Sequence, residues 1–363
     1  MKKFIALILI LILTLTGCDI ASQPADESNA GQYTTEESTH FSTDTDNNTS
    51  EETEREGIEP DESQSESTES EDSQPESTES EDSQPENTES EDSQPENTES
   101  EDSQPEDDTE TLYVNYIDVG QGDSILIKVG DCDILIDAGT ANYGSTVSNY
   151  LKAQEVDDIE LMINTHPDAD HCGGLTKVLN DFLVEEVWIS KDTSKKTAAY
   201  KNFVAAISTE GLSAKQPNAG TVFTYEYLTL TVIYSQKGSD SNNSSIIVML
   251  EYGSFKFLFT GDAGQEVESK LVSSGADISC DVLKVGHHGS KYSSTSAFLN
   301  ATGADYGVIC VGAGNSYGHP TNAALNRLSS AGISVYRTDT NGDVVFSTNG
   351  TTLTLPDVTS GRS

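Results

Sequence analysis

Residues 159–174 read IELMINTHPDADHCGG, and this stretch decides more about the chain than any other. Ile159–Asn164 is an apolar run of strand character that passes without a break into Thr165-His166-Pro167-Asp168-Ala169-Asp170-His171. Two imidazoles and two carboxylates thus fall within six residues at a strand end, where loops borne on a rigid sheet usually carry function. Groups with this ligand chemistry, crowded so closely, are electrostatically costly unless a cation joins them. The competing reading is a polar turn in which Asp168 or Asp170 caps the amides leading into Gly173-Gly174.

Two later segments favour the cation. Phe257-Leu258-Phe259-Thr260-Gly261-Asp262 is a buried strand ending in an acid, and Val282-Leu283-Lys284-Val285-Gly286-His287-His288-Gly289-Ser290 is another ending in paired histidines. The chain has only six histidines, and all but His40 sit in Gly- or Pro-containing loops, four of them directly after apolar strands. Three strand-end loops then aim acids and imidazoles at one place, as a dinuclear metal site requires.

Around these loops, residues 111–363 alternate short strands with helices. Tyr113–Val119, Ser124–Val129 and Asp133–Ile136 read as a strand meander, and Ser145–Ala153 as a helix. After the His/Asp loop come a helix near Gly174–Leu183, a strand Glu186–Ser190 and a helix near Thr197–Ser208. Strands follow at Leu228–Tyr234, Ser245–Glu251 and Phe255–Phe259, then a helix Gln265–Ser273, a strand Asp281–Val285 and further pairs to about Thr354. This is one α/β domain with an ample core. No two of the five cysteines form a C-x-x-C pair, and Cys132, Cys172, Cys280 and Cys310 are expected as small buried side chains.

The rest of the chain differs in kind. Residues 19–110 hold 34 acidic side chains and one base, Arg55, so most of the formal net charge of −43 lies outside the domain. The unit ESTESEDSQP occurs at 66–75 and 76–85, and ENTESEDSQP at 86–95 and 96–105. With no apolar residue to stack, these repeats predict a disordered, extended spacer of 18–110, longer than roughly 50 Å, rather than a solenoid. Calcium binding by its carboxylates is the alternative to a simple solvated run. Lys2 and Lys3 precede an apolar run, Phe4–Leu15, too short for a comfortable span and flanked like a secretory signal, expected over 1–17. So acidic a chain argues against tight nonspecific nucleic-acid binding; any phosphate-bearing substrate must be held locally.

Leu15-Thr16-Gly17-Cys18 resembles the bacterial lipobox, which implies lipidation of Cys18 and an exported domain held at the membrane; an ordinary signal peptide is the alternative. In the domain, the order Leu135-Ile136-Asp137-Ala138-Gly139, HPDADHCGG, TGD, HHGS resembles the metallo-β-lactamase superfamily. The opening Ile117-Asp118-Val119-Gly120-Gln121-Gly122-Asp123 is similar to the corresponding domain of ComEC-type competence proteins. The resemblance implies a four-layer αββα sandwich. It also implies two divalent metal ions held by His166, Asp168, Asp170, His171, Asp262 and His287, with Asp262 bridging and Asp137 a structural aspartate behind them.

Two departures from the superfamily pattern matter. Asp168 stands where most members have a second histidine, and Asn242-Asn243-Ser244-Ser245 fills the stretch where a middle metal histidine is expected. A more oxygen-rich set suits harder ions, so Mn²⁺ or Zn²⁺ is expected, and β-lactamase chemistry is disfavoured. Asp170 is expected to position the attacking water as well. Lys284, His288, Ser290 and Lys291 are candidates to bind a phosphate and protonate a leaving oxygen, unless the lysines are simply solvated and His288 only donates a supporting hydrogen bond. His319, in Gly314-Asn315-Ser316-Tyr317-Gly318-His319-Pro320, is a candidate acid or substrate contact, or a turn residue. The expected activity is a surface-anchored phosphodiesterase or nuclease, with DNA as a substrate and DNA-uptake channel proteins as partners. The alternatives are a phosphoesterase of envelope polymers, a lactone or β-lactam hydrolase, and a non-catalytic binding protein.

Overall fold

The structure, a computed structural model, describes residues 110–195 and 197–357. The expected leader at 1–17, Cys18 and, apart from Glu110, the acidic stretch 18–110 lie outside the described residues. Among the described residues no helix is long and apolar enough to cross a membrane.

Two mixed sheets form the frame. In spatial order the first runs Leu353–Thr354, Val344–Thr348, Leu112–Tyr116, Ser124–Val129, Cys132–Ala138, Asp158–Asn164, Leu183–Ile189 and Ala214–Lys215. The second runs Ser334–Arg337, Tyr306–Ile309, Val282–Lys284, Phe255–Phe259, Ile247–Tyr252, Leu228–Tyr234 and Val222–Tyr225. Each sheet is antiparallel on one side and parallel on the other. Cys132–Ala138, Asp158–Asn164 and Leu183–Ile189 pair in parallel, as do Phe255–Phe259, Val282–Lys284, Tyr306–Ile309 and Ser334–Arg337.

The two-residue period of the strands builds the layers. Ile134, Ile136, Leu161 and Ile163 of the first sheet meet Leu228, Leu230, Leu250, Phe257 and Phe259 of the second in a central apolar layer. The intervening residues point the other way: Leu135 and Met162 meet Val147, Leu151, Val178 and Phe203 of the outer helices. On the opposite side Met249, Leu258 and Leu283 meet Val267, Leu271, Phe298 and Leu328. Three stacked apolar interfaces make four layers, helix, sheet, sheet, helix, as expected. Burying each such Leu, Ile or Phe contributes about 1.5–3 kcal/mol, which is why strands covered on both faces read as continuous apolar runs.

The helices that cover the sheets are capped by the residues that precede them. Thr197, Thr295 and Thr321 accept from the backbone N–H of Tyr200, Phe298 and Ala324 and start Ala198–Thr209, Ser296–Thr302 and Asn322–Ser330. The first strand is shorter than the expected Tyr113–Val119. It stops at Tyr116, although the N–H of Ile117 still donates to the carbonyl of Ser124 on the neighbouring strand at 2.9 Å. Cys132, Cys172, Cys280 and Cys310 are free and buried, as read.

Candidate metal centre

The loops that carry the expected ligands all leave the carboxyl ends of parallel strands, the edge at which open α/β sheets place their sites. The loop after Asp158–Asn164 carries His166 to His171, the loop after Phe255–Phe259 carries Asp262, and that after Val282–Lys284 carries His287 and His288. Two glycines let backbones close in. At Gly122, with φ +145°, a Cβ would stand 2.3 Å from the Asp170 carbonyl; at Gly174 it would stand 2.1 Å from that of Ala138. Asp123 is thereby drawn against the His166–His171 loop, its N–H donating to the Asp170 carbonyl at 3.2 Å.

Three buried imidazoles are tied by their δ nitrogens and turn their ε nitrogens inward. Nδ1 of His171 lies 2.8 Å from Oδ2 of Asp137, and Nδ1 of His288 lies 2.8 Å from the Cys310 carbonyl oxygen. Both oxygens only accept, so each Nδ1 donates and each Nε2 is left as the atom that takes up a proton or a metal ion. Nδ1 of His166 lies 3.1 Å from the Thr165 hydroxyl, which donates its own proton to Asp137 and so accepts from His166. The ε nitrogens converge on Asp262. His171 Nε2 is 3.3 Å from its Oδ1, and His288 and His166 are 3.3 and 3.9 Å from its Oδ2. His288 Nε2 also lies 3.5 Å from Asp170 Oδ2.

Among the described residues, none of these three ε nitrogens, nor Oδ1 of Asp262, has a hydrogen-bond partner, although all are buried. Buried ring nitrogens facing a carboxylate in a dry interior call for a cation between them, a proton or a metal ion. The local field says the same. Burial works against charge on His171 and His288, yet the carboxylates around them, Asp262 foremost, hold both well above the ordinary imidazole value. Burial would raise Asp262 and Asp170, but His288 and His171 hold both carboxyls below their ordinary value. His166 moves the other way, down to about 4, through burial and the neighbouring His171, and is neutral at pH 7. The donor set therefore fits divalent cations.

Asp123, His171, Asp262 and His288 offer ligand atoms within 4.8 Å of one another. Asp123 stands behind the rings, with its oxygens 3.4 Å from His288 Nδ1 and 3.8 Å from His171 Nδ1. It forms an ion pair with Lys284, whose ammonium also donates to the Gly261 carbonyl at 3.0 Å. Both side chains are buried, so the phosphate contact expected of Lys284 is corrected: its ammonium lies under the cluster and neutralises Asp123. Ser290 is buried as well, while Lys291 is exposed with its ammonium 5.0 Å from the Tyr292 ring.

Above the cluster opens a cleft of about 230 Å³ lined by Gln121, Asp168, Asp170, Asn242, Asp262, His287, His288, Tyr317 and His319. His287 stands on its rim: its Nε2 is 3.2 Å from Asn242 Nδ2 and 3.9 Å from Asp262 Oδ2. The adjacent His288 is the inner of the pair, its Nε2 turned towards Asp170 and Asp262. Asp137, His287 and His288 have φ of 56°, 50° and 53°, left-handed backbone that costs on the order of 1–3 kcal/mol each and recurs at functional sites. The His319 ring packs edge-on to His287 at 5.5 Å and stacks on the exposed Tyr317 at 5.9 Å. Burial, with His287 and His288, holds His319 below the ordinary imidazole value.

Ser245 of the histidine-free stretch is a support for the site: its hydroxyl accepts from the Asp262 N–H at 3.1 Å. Asp168 pairs with Lys195 at 2.9 Å. Sequence reasoning assigned no role to Asp123 or Lys195. Asp123 left a trace, an acid between a glycine turn and a strand, whereas Lys195 sits in a polar loop with nothing to mark it.

Residues 117–313 match the model of the metallo-beta-lactamase superfamily. The chain is similar to ComE operon protein 3 of Bacillus subtilis, 30% identical over 253 residues, 64% of this chain and 32% of that protein. It is also similar to competence protein ComA of Neisseria gonorrhoeae, 30% identical over 231 residues, 63% of this chain and 31% of that protein. It spans about a third of the length of these curated relatives. Among solved structures, the metallo-beta-lactamase fold protein YhfI of Bacillus subtilis aligns with a TM-score of 0.46 at 12% identity, covering 66% of this chain and all of that one.

Proposed function

Because the chain belongs to the metallo-beta-lactamase superfamily, we propose that its domain is a divalent-metal-dependent phosphodiesterase acting on DNA. The observation that carries this reading is the convergence of the unpartnered Nε2 atoms of His166, His171 and His288 on Asp262.

Asp170, His171, His288 and Asp262 would hold one cation, and His166, Asp168, His287 and Asp262 a second, with Asp262 common to both. Carboxylates are half of each set, which favours Mn²⁺ or Zn²⁺ in an oxygen-rich environment. Such ions lower the pKa of water and stabilise negative charge that develops on phosphoryl oxygens. Asp170, kept ionised by His288 and His171, accepts a proton of a water in the cleft and fixes its direction. His319 is neutral at pH 7 and serves as a hydrogen-bonding contact for substrate rather than a proton donor.

DNA is chosen among phosphodiesters for two reasons. Relatives matched over the domain carry the names competence protein and ComE operon protein. Tyr317, exposed at the cleft and stacked on His319, offers a face to an unpaired base. The wider proposal places the domain outside the cytoplasm, anchored through Cys18 and held off the membrane by the acidic repeats, where it would meet incoming DNA and uptake-channel proteins.

The test is a panel on the purified chain with Mn²⁺ or Zn²⁺, against bis-p-nitrophenyl phosphate, single-stranded DNA and nitrocefin, beside His166→Ala. Phosphodiester turnover that the variant loses supports the reading. Nitrocefin turnover alone overturns it, and inactivity on every substrate favours a binding protein.

A further inference from the structure

Among the described residues, no lysine or arginine lines the cleft to face an anionic phosphodiester. Lys284 is sealed beneath it and Lys291 leans on Tyr292. Lys195 stands behind the lining residues and pairs with one of them, Asp168. Its Nζ lies 2.9 Å from Oδ1 of Asp168 and donates to the Ser241 hydroxyl at 3.1 Å, so it spans Asp168 and the segment that carries Asn242. Its side chain is 36% exposed.

The segment just before it, Ser190 to Ser194, is tied by its own hydrogen bonds. Between Leu183–Ile189 and Ala198–Thr209, the Asp192 carboxylate accepts from the Ser194 N–H at 3.0 Å and from its hydroxyl at 2.6 Å. Asp192 in turn takes its own N–H to the Ser190 hydroxyl at 3.1 Å. The Lys195 ammonium, which carries three donors, makes one hydrogen bond, to Ser241, and an ion pair with Asp168 among the described residues. A lysine is a compact charge on a flexible stem, suited to following a phosphate oxygen over a short distance.

We propose that Lys195 is the cationic contact for the non-bridging oxygens of a phosphodiester bound in this cleft. The proposal rests on the phosphodiesterase reading above and deepens it. No covalent step is involved; Lys195 binds and positions, releasing Asp168 as the substrate anion takes its ammonium.

The test compares Lys195→Ala, Lys195→Gln and Lys195→Arg with the parent chain. Three quantities are measured: KM against kcat on bis-p-nitrophenyl phosphate, inorganic phosphate binding by calorimetry, and Mn²⁺ binding by calorimetry. Loss of a charged hydrogen bond predicts about a tenfold rise in KM and about a tenfold weaker phosphate affinity in the Ala and Gln variants, with Arg retaining most of both. The salt slope for a single-stranded oligonucleotide falls by about 0.7. Parallel assays with single-stranded DNA and a poly(glycerol phosphate) chain tell which phosphodiester source gains most from Lys195.

Unchanged KM and phosphate affinity overturn the proposal while a working parent enzyme leaves the phosphodiesterase reading standing. Altered Mn²⁺ affinity with flat phosphate binding also overturns it, since Lys195 would then only balance Asp168. A parent chain that neither cleaves phosphodiesters nor binds phosphate defeats both.

Discussion

Nδ1 of His171 donates to Oδ2 of Asp137 across 2.8 Å, with both side chains fully buried. The other carboxylate oxygen of Asp137 accepts from the Thr165 N–H and from Asn164 Nδ2, each at 2.9 Å. That network fixes which nitrogen of His171 faces the cluster. Asp137→Asn leaves the size unchanged but offers an amide where the imidazole needs an acceptor. We expect metal affinity to fall about 10–100-fold, the usual effect of losing a partner that orients a ligand. Competition with a chromophoric chelator measures it, and an affinity within twofold of the parent would contradict the role.

Lys284 gives a prediction about stability rather than chemistry. Its charge and that of Asp123 sit in the sandwich interior, and removing one leaves the other without its main counter-charge. Lys284→Met should cost about 3–5 kcal/mol, seen as a thermal midpoint lower by roughly 10 °C or more. Asp123→Asn combined with Lys284→Met should recover part of the loss, because a neutral pair needs no compensation. A single variant as stable as the parent would mean that the histidines already neutralise Asp123.

The adjacent histidines can be separated by metal titration. His288→Ala removes a buried Nε2 that faces Asp170 and Asp262, and its effect on metal affinity should exceed the roughly 10–100-fold of an outer partner. His287→Ala, on the rim, should weaken binding less. The reverse order would make His287 the principal ligand of that loop.

These two histidines also show how far the sequence reaches. Strand ends, glycine turns and the run HPDADH were legible because apolar runs and loop chemistry are local. Which of two neighbouring imidazoles turns inward depends on the left-handed backbone at both, and no composition signal carries that. Lys284 was open to a better reading: it alternates with Leu283 on a strand covered on both faces, which puts it on the face of Val282, inside the sandwich. Ala214–Lys215 and Val222–Tyr225 escaped notice because so few residues, half of them exposed, leave no periodicity to read. Lys195 was invisible since its partner is distant in sequence and its loop is polar throughout.

Asp133 offers a test of the electrostatics away from the metal centre. It is buried on Cys132–Ala138 and pairs with Lys128 at 3.1 Å, yet burial outweighs that pair and lifts its carboxyl to about 6. The unfolded chain ionises it near 3.9. Between these values the folded state holds the extra proton, so this group favours folding most below about pH 4, and that contribution is lost as pH rises through about 6. Asp133→Asn is neutral throughout. Its stability relative to the parent should therefore be unchanged near pH 3.5, grow between about 4 and 6, and level off above, at no more than about 2 kcal/mol after allowance for solvent near Lys128. Urea unfolding of both proteins at several pH values measures the difference, in which the other titrating groups cancel. A variant less stable than the parent at pH 7 would show instead that the Lys128 pair outweighs the cost of burying the charge.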